Sequence, residues 1–249
     1  SGQHSAPRSV IEMTLITKDV LVGQFEKGLI RKGGVLTVKK EDILTPSARE
    51  FLKDNNISVS DKPVGFQTAY GLFTEEKPEH MTHLYANFLV PKNHPRIQLR
   101  GKLDSLESQI LLTQIMANEQ NLPRLAEDLQ EIISFTRNII QCEVKNKPLP
   151  EFFLQGLDAA ALRDHSHHPS KYYGMRHFLP TCTHGKMVCE LNALRTKTRE
   201  TEIAAFNAFE DEYHNISRTD IIRALNRLSS LFWIMMFKVL TGKYADKEG

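Results

Sequence analysis

Cysteine is scarce. Cys142, Cys182 and Cys189 are the only three in 249 residues, and none stands at a paired spacing. That argues against a disulfide framework and for a reducing compartment. Charge of one sign is lacking as well. The 32 Lys and Arg against 30 Asp and Glu leave a net +2, too little to draw nucleic acid or an anionic membrane. The longest apolar run, Leu231 to Phe237, falls far short of the about 20 residues that span a bilayer. The N-terminus has no apolar core of signal-peptide length. Neither a Walker GxxxxGK loop nor a GxGxxG turn occurs, which excludes those two nucleotide-binding fingerprints. Internal repeats and low-complexity tracts are missing too. The expectation is a cytoplasmic globular protein with one large domain, or one domain and a small accessory.

What is present divides the chain. Residues 1–12 read as an expression remnant or an unstructured tail, with Met13 a candidate native start. Residues 13–90 read as a small mixed α/β region and linker. Within it "VLVGQ" and "GGVLTVKK" look like strands around glycine turns. "TPSAREFLKDNNI" places Thr45 at an N-cap and Pro46 at the first helical position. Residues 61–79 are polar and read as loop. Residues 91–245 turn helical. "LDSLESQILLTQIMANEQ", "LPRLAEDLQEIISFTRNIIQCEV", a helix from Lys186 to Tyr213 and a last one from "SRTDIIRALNRL" have apolar residues at helical spacing. "LDAAALRD" adds a short helix, followed by the irregular "HSHHPSKYYGMRHFLPTCTHG". Ser217 and Asp220 offer a capping box to the last helix. That helix is apolar nearly all round by "LFWIMMF", so it is central or part of an oligomer interface. The fold class is mainly α: an antiparallel bundle of four to five helices with a small α/β N-terminal region.

Chemistry enters with "LRTKTRETE". At about 100° per residue, Arg195, Arg199 and Glu202 share a helix face with Val188, Leu191, Phe206, Phe209 and Tyr213. Asp104 falls in the first turn of its helix, on a face with Ser108, Leu111 and Ile115, where the dipole favours a carboxylate. Asn226 shares a face with Ile222, Ser229, Trp233 and Phe237. Charge turned inward is costly unless paired or bound. One reading is an internal salt-bridge network that fixes helix register. The set as a whole favours a ligand site, because two arginines need more than one carboxylate and an anion would supply the rest. Lys92, Arg96 and Arg100 bring positive charge toward a helix start, where free N–H groups also suit phosphate. His80 and His83, or His165, His167 and His168, carry metal-binding chemistry. They have no cysteine or acidic partners at ligand spacing, so no protein-ligated metal is expected. Met235 and Met236 are read as core.

These residues resemble the ATP:cob(I)alamin adenosyltransferases. "RTKTRETE" is similar to that family's RTxxRRAE helix and "ALNRLSSLFWIM" to its YLNRLSDLLFVL helix. "PKNHPRIQLRGKLDSLES" resembles the segment that precedes them. "ILTPSAREFLKDNNI" and "MTHL" extend the likeness to the ethanolamine-utilisation branch over nearly the whole chain. The resemblance implies a homotrimer with ATP and cobalamin at each subunit interface. Transfer of the 5′-deoxyadenosyl group to cob(I)alamin would release triphosphate. It places Arg195, Arg199 and Asp104 in the catalytic machinery, with Asp104 and Arg195 as a salt bridge near the corrinoid. Lys92, Arg96, Arg199, Glu202 and Asn226 take ATP, with Mg²⁺ carried on the nucleotide. Thr82 and His83 stand where the wider family has a glycine-rich loop. His177 or Phe178, in the "HFLP" turn, faces cobalt. A flavoprotein or flavodoxin-type reductant and a B12-dependent lyase are the implied partners, and a bacterial microcompartment is a candidate location. A diol dehydratase could be the recipient instead. A non-catalytic corrinoid carrier, or a bundle whose charges only fix register, are the readings from other classes.

Overall fold

The computed structural model describes residues 14–61, 65–70 and 73–245. The expectations for residues 1–12 and Met13 therefore lie outside the described residues. The chain divides into two compact units that meet between Lys92 and Asn93.

The N-terminal unit runs β1 (Leu15–Ile16), α1 (Lys18–Glu26), β2 (Val35–Thr37), β3 (Ile43–Leu44), α2 (Pro46–Asp54) and β4 (Ser58–Ser60). It continues with β5 (Phe66–Thr68), β6 (Phe73–Thr74), β7 (Met81–Tyr85) and β8 (Phe88–Pro91). β1 pairs with β3 and β2 with β4, both parallel. β6-β5-β8-β7 form a four-stranded mixed sheet. Leu21, Leu36, Ala48 and Leu52 are buried at the centre of a small core. Two expectations are corrected. "VLVGQ" is helix, not strand, because Thr17 accepts a hydrogen bond from Val20 N and Asp19 sits in the first turn of α1; such a cap outweighs two β-branched valines. The stretch 61–79 contributes β5 and β6 rather than loop alone. The second predicted helix forms as read: Thr45 Oγ1 accepts from Ala48 N at 3.2 Å and Pro46 opens the helix.

The C-terminal unit is built on four long helices. They are α3 (Pro95–Glu119), α4 (Pro123–Val144), α7 (Lys186–Phe209) and α8 (Thr219–Leu240), with α5 (Ala159–His167) and α6 (Pro169–Tyr173) between the two pairs. α3 packs on α4 and α7, and α8 packs on α7, α5 and α6. Leu99, Leu103, Leu106 and Ile110 of α3 are fully buried, a spacing of four, three and four that puts them on one stripe. α8 is the central element: Leu225, Leu228, Phe232, Ile234, Met235, Met236 and Phe237 are fully buried within the single chain. Buried hydroxyls are satisfied inside their own helices. Thr113, Thr136, Thr198 and Thr201 donate to the carbonyls of Gln109, Ile132, Leu194 and Lys197 at 2.7–2.9 Å.

Helix ends differ from the sequence expectation in four places. α3 starts at Pro95 rather than near Leu103, capped by His94 Nδ1, which accepts from Arg96 N; Gly101 lies inside it. Asp104 is therefore well within the helix, not in its first turn. α7 stops at Phe209 rather than Tyr213, because Asp211 Oδ1 accepts from the backbone of Tyr213 and Asn215 and folds the chain into a turn. The capping box at α8 does not form. Asp220 instead accepts from Leu149 N and Arg218, and Ser217 Oγ donates to Phe209 O. Within the stretch read as irregular, α6 forms and ends at Gly174 with φ of 69°, the left-handed conformation that favours glycine.

Candidate functional site

A cleft of about 840 Å³ opens in the C-terminal unit. α5 lines it with Arg163, Ser166 and His167, and α7 with Arg195, Arg199, Glu202, Ile203 and Phe206. α8 adds Ile222, Asn226, Arg227, Ser229, Ser230 and Trp233, and the turn after α6 adds His177. The buried stripe of α7 is Val188, Leu191, Leu194, Thr198, Thr201, Ala205 and Phe209. Arg195, Arg199 and Glu202 stand one residue off that stripe, on its shoulder. The helix thus keeps the guanidinium groups at the cleft wall instead of in the core, where unpaired charge is costly. Phe206 is 42% exposed and Tyr213 77%, so neither belongs to the packed face the projection assigned them.

Glu202 is the only carboxylate in this lining. Its Oε1 accepts from Asn226 Nδ2 at 2.9 Å, which ties α7 to α8. Arg163, Arg195, Arg199 and Arg227 all line the cleft. Among the described residues none of the four has a carboxylate within salt-bridge distance. Arg195 lies over the Trp233 ring, 5.2 Å from its centroid. Partial burial, and then the neighbouring Arg199, lower the Arg195 pKa. Arg227 is lowered by burial and then by Arg163, against an opposing pull from Glu202. Like charges held together without counter-charge attract an anion.

The "HFLP" turn separates its two candidates. His177 lines the cleft, stacks on Trp233 at 6.0 Å and 11°, and its Nε2 donates to His167 O at 3.2 Å. Phe178 stacks on Trp233 at 5.0 Å and meets Phe237 edge-on at 5.2 Å; it is a half-buried packing residue.

Several expected residues stand elsewhere. Asp104 is exposed on α3, and the chain does not bring it to Arg195; among the described residues no ion pair joins them. The reason is the α3 stripe, which turns Leu103 and Leu106 inward and Asp104 out. Arg96 is likewise not in the cleft lining. With Arg100 it is held by the carboxylate of Glu143, which is fully buried. Lys92, Thr82 and His83 belong to the N-terminal unit: Thr82 and His83 are on β7, and Lys92 follows β8. His165 stacks on Tyr172 and bonds to Tyr173, and His168 bonds to Asp164. Arg163 and Arg227 were not singled out from sequence. Arg227 follows Asn226 directly, and that adjacency is a usable signal; nothing local marks Arg163.

A family model described as cobalamin adenosyltransferase matches residues 72–239. Corrinoid adenosyltransferase EutT of Escherichia coli (strain K12) is 32% identical over 239 residues, covering 85% of this chain and 88% of its own length. EutT of Salmonella typhimurium is 32% identical over 234 residues, covering 83% and 86%. Among solved structures, a single-residue variant of a PduO-type ATP:corrinoid adenosyltransferase from Lactobacillus reuteri, complexed with cobalamin and ATP, superposes with a TM-score of 0.52. Identity there is 21%, over 67% of this chain and 89% of that one, a likeness of fold. Family match and full-length relatives agree, and the chain belongs to the cobalamin adenosyltransferase family.

Proposed function

We propose that the chain transfers the 5′-deoxyadenosyl group of ATP to cob(I)alamin, and that the α5–α7–α8 cleft is where it does so. The observation that carries this reading is the cleft's charge: four arginines without carboxylate partners, against one glutamate already held by Asn226. In the reaction the cobalt nucleophile attacks the ribose 5′-carbon, a cobalt–carbon bond forms, and the carbon–oxygen bond to triphosphate breaks. The leaving group takes the electron pair and must be met by donors already in place. Arg199 and Arg195 supply them, and guanidinium forks suit phosphate oxygens. Glu202, oriented by Asn226, offers acceptor oxygens to the nucleoside. Trp233 and His177 give the cleft a flat aromatic wall for a corrinoid, and His177, not Phe178, is the member of the turn on that wall.

Mg²⁺ belongs to the proposal as a passenger on the triphosphate. The arginine-rich lining suits an anion, and among the described residues no group of three or more His, Cys, Asp or Glu stands ready to hold an ion. On the nucleotide it would neutralise charge as the triphosphate departs. Lys92, Thr82 and His83 remain proposed ATP contacts on the resemblance alone. Arg96 is better read as structural, through Glu143.

A homotrimer is part of the same reading. Asp104 stands on the α3 face with Leu111 and Ile115, which are 38% and 56% exposed, beside Leu112 at 58%. An Asp104–Arg195 bridge would then form between subunits. Supply of a B12-dependent ethanolamine ammonia-lyase, a flavodoxin-type reductant and residence in a microcompartment follow from the resemblance to the ethanolamine-utilisation branch. No described helix is long and apolar enough to cross a membrane.

The test is a spectrophotometric assay of chemically reduced cob(I)alamin with MgATP. Adenosylcobalamin should form, and Arg199→Ala should lower the rate roughly 100-fold or more with its circular dichroism unchanged. Corrinoid binding without ATP-dependent turnover would favour a carrier and overturn the reading.

A further inference from the structure

Two of the four cleft arginines stand opposite the α7 helix that carries Arg195 and Arg199. Arg227 is on α8, one residue beyond Asn226, and Arg163 is on α5, which packs against α8. α5 is firmly placed. Asp158 Oδ1 caps it by accepting from Ala161 N at 2.7 Å, and Leu162, next to Arg163, is fully buried. Arg163 is thus exposed on the one face of a short, anchored helix that borders the cleft. Across α6 and α8 other basic side chains are committed: Lys171 to Asp164, Arg223 to Glu151 and Lys238 to Asp128. Arg163 and Arg227 have no such partner among the described residues, and after burial it is Arg163 that most weakens the hold of Arg227 on its proton. Two cations placed side by side without a counter-ion are destabilising unless something anionic joins them.

We infer that Arg163 and Arg227 form a second phosphate-binding wall, which makes the cleft select a triphosphate chain over shorter ones. This rests on the reading of the cleft as the ATP site. Arg195 and Arg199 on α7 meet part of the phosphate chain, and the α5–α8 pair meets the part that a diphosphate or monophosphate lacks. Each added bidentate contact is made only by the longer anion, so the pair sets specificity as a difference of affinities. Arg163 and Arg227 are therefore specificity residues at the leaving-group end and leave the nucleoside end untouched.

The experiment is calorimetric titration of the full chain with inorganic tripolyphosphate, pyrophosphate and adenosine at fixed ionic strength. The wild type should bind tripolyphosphate at least about 10-fold more tightly than pyrophosphate. Arg163→Gln and Arg227→Gln should each cut that preference by about 10-fold, with adenosine affinity unchanged. Arg227→Lys, which keeps the charge and loses the fork, should fall between. Folding is checked by circular dichroism, and the Lys variant keeps the test sound if Arg227→Gln is unstable. A preference unchanged in folded variants, while Arg199→Gln still weakens tripolyphosphate, would overturn this inference and spare the ATP site. A wild type that binds neither tripolyphosphate nor ATP would overturn both.

Discussion

At the scale of single residues, the most consequential side chain outside the cleft is Glu143. It is fully buried and meets Arg96 and Arg100, themselves 16% and 17% exposed, and Arg96 also donates to Glu143 O. Removing the shared carboxylate takes away the anion that joins two guanidinium groups in a largely dry site. Glu143→Gln should cost about 3–5 kcal/mol, read as a lower urea midpoint. Asp164 gives a pH signature of smaller size. The Tyr172 hydroxyl, then His168 and Lys171, hold its carboxyl down at about 2. A folded pKa below the unfolded one means that the stabilisation is present above the ordinary carboxylate range, about 4. It is lost as pH falls from there toward about 2. Melting temperature against pH should therefore show a shallower acid limb in Asp164→Asn than in wild type. The charged residues were legible in sequence as unusual, because Arg195, Arg199 and Glu202 break an apolar pattern. Their partners were not, since Asn226–Glu202 and Arg96–Glu143 join residues 24 and 47 positions apart.

At the scale of elements, periodicity located all four long helices, and local chemistry decided where the reading failed. Helix α2 was read correctly because Thr45 and Pro46 are a cap and a start that no tertiary contact needs to supply. Thr45→Ala should cost about 1 kcal/mol, visible by thermal denaturation if the N-terminal unit melts as its own transition. α1 was misread because valine suggests strand, and the Thr17 cap is a weaker signal on paper than in the fold. α3 begins eight residues before the LDSLES start read from sequence and runs through Gly101, whose Cβ position would meet nothing within 4 Å; a glycine in open space costs a helix about 1 kcal/mol and does not end it. The projection of α7 put the arginines on the buried side because a helical wheel has no third dimension. It resolves a face, not the difference between a core stripe and its shoulder, and the cleft lies on the shoulder. α8 is the helix where packing dominates. Phe237 is fully buried beneath Tyr173, Phe178 and Trp233, and Phe237→Ala should cost about 3–5 kcal/mol, with the aromatic wall of the cleft loosened as well.

At the scale of the whole molecule, composition argues against a disulfide scaffold and a nucleic-acid binder through three unpaired cysteines and a net charge of +2. The assembly is where sequence and single chain leave a definite trial. Leu112→Glu, on the exposed α3 stripe, should convert the proposed trimer to monomer in sedimentation velocity and leave circular dichroism unchanged; an unaltered trimer would move the interface elsewhere. The buried threonines set a further property of the bundle. Because each returns its hydrogen bond to its own backbone, the threonines add no register mark to the seams: α3 is pinned to α4 through Glu143 and to α7 through Gln109 and Glu190, whereas among the described residues α7 and α8 share one side-chain hydrogen bond, Glu202 with Asn226. Rods joined in this way are stiff against separation, where dispersion and hydrophobic contact resist. Between α7 and α8 a small lengthwise displacement has only that one polar bond to break. Inside the cleft the Glu202–Asn226 bond is then the brake on α7 sliding past α8, set at the depth where the nucleoside is proposed to enter.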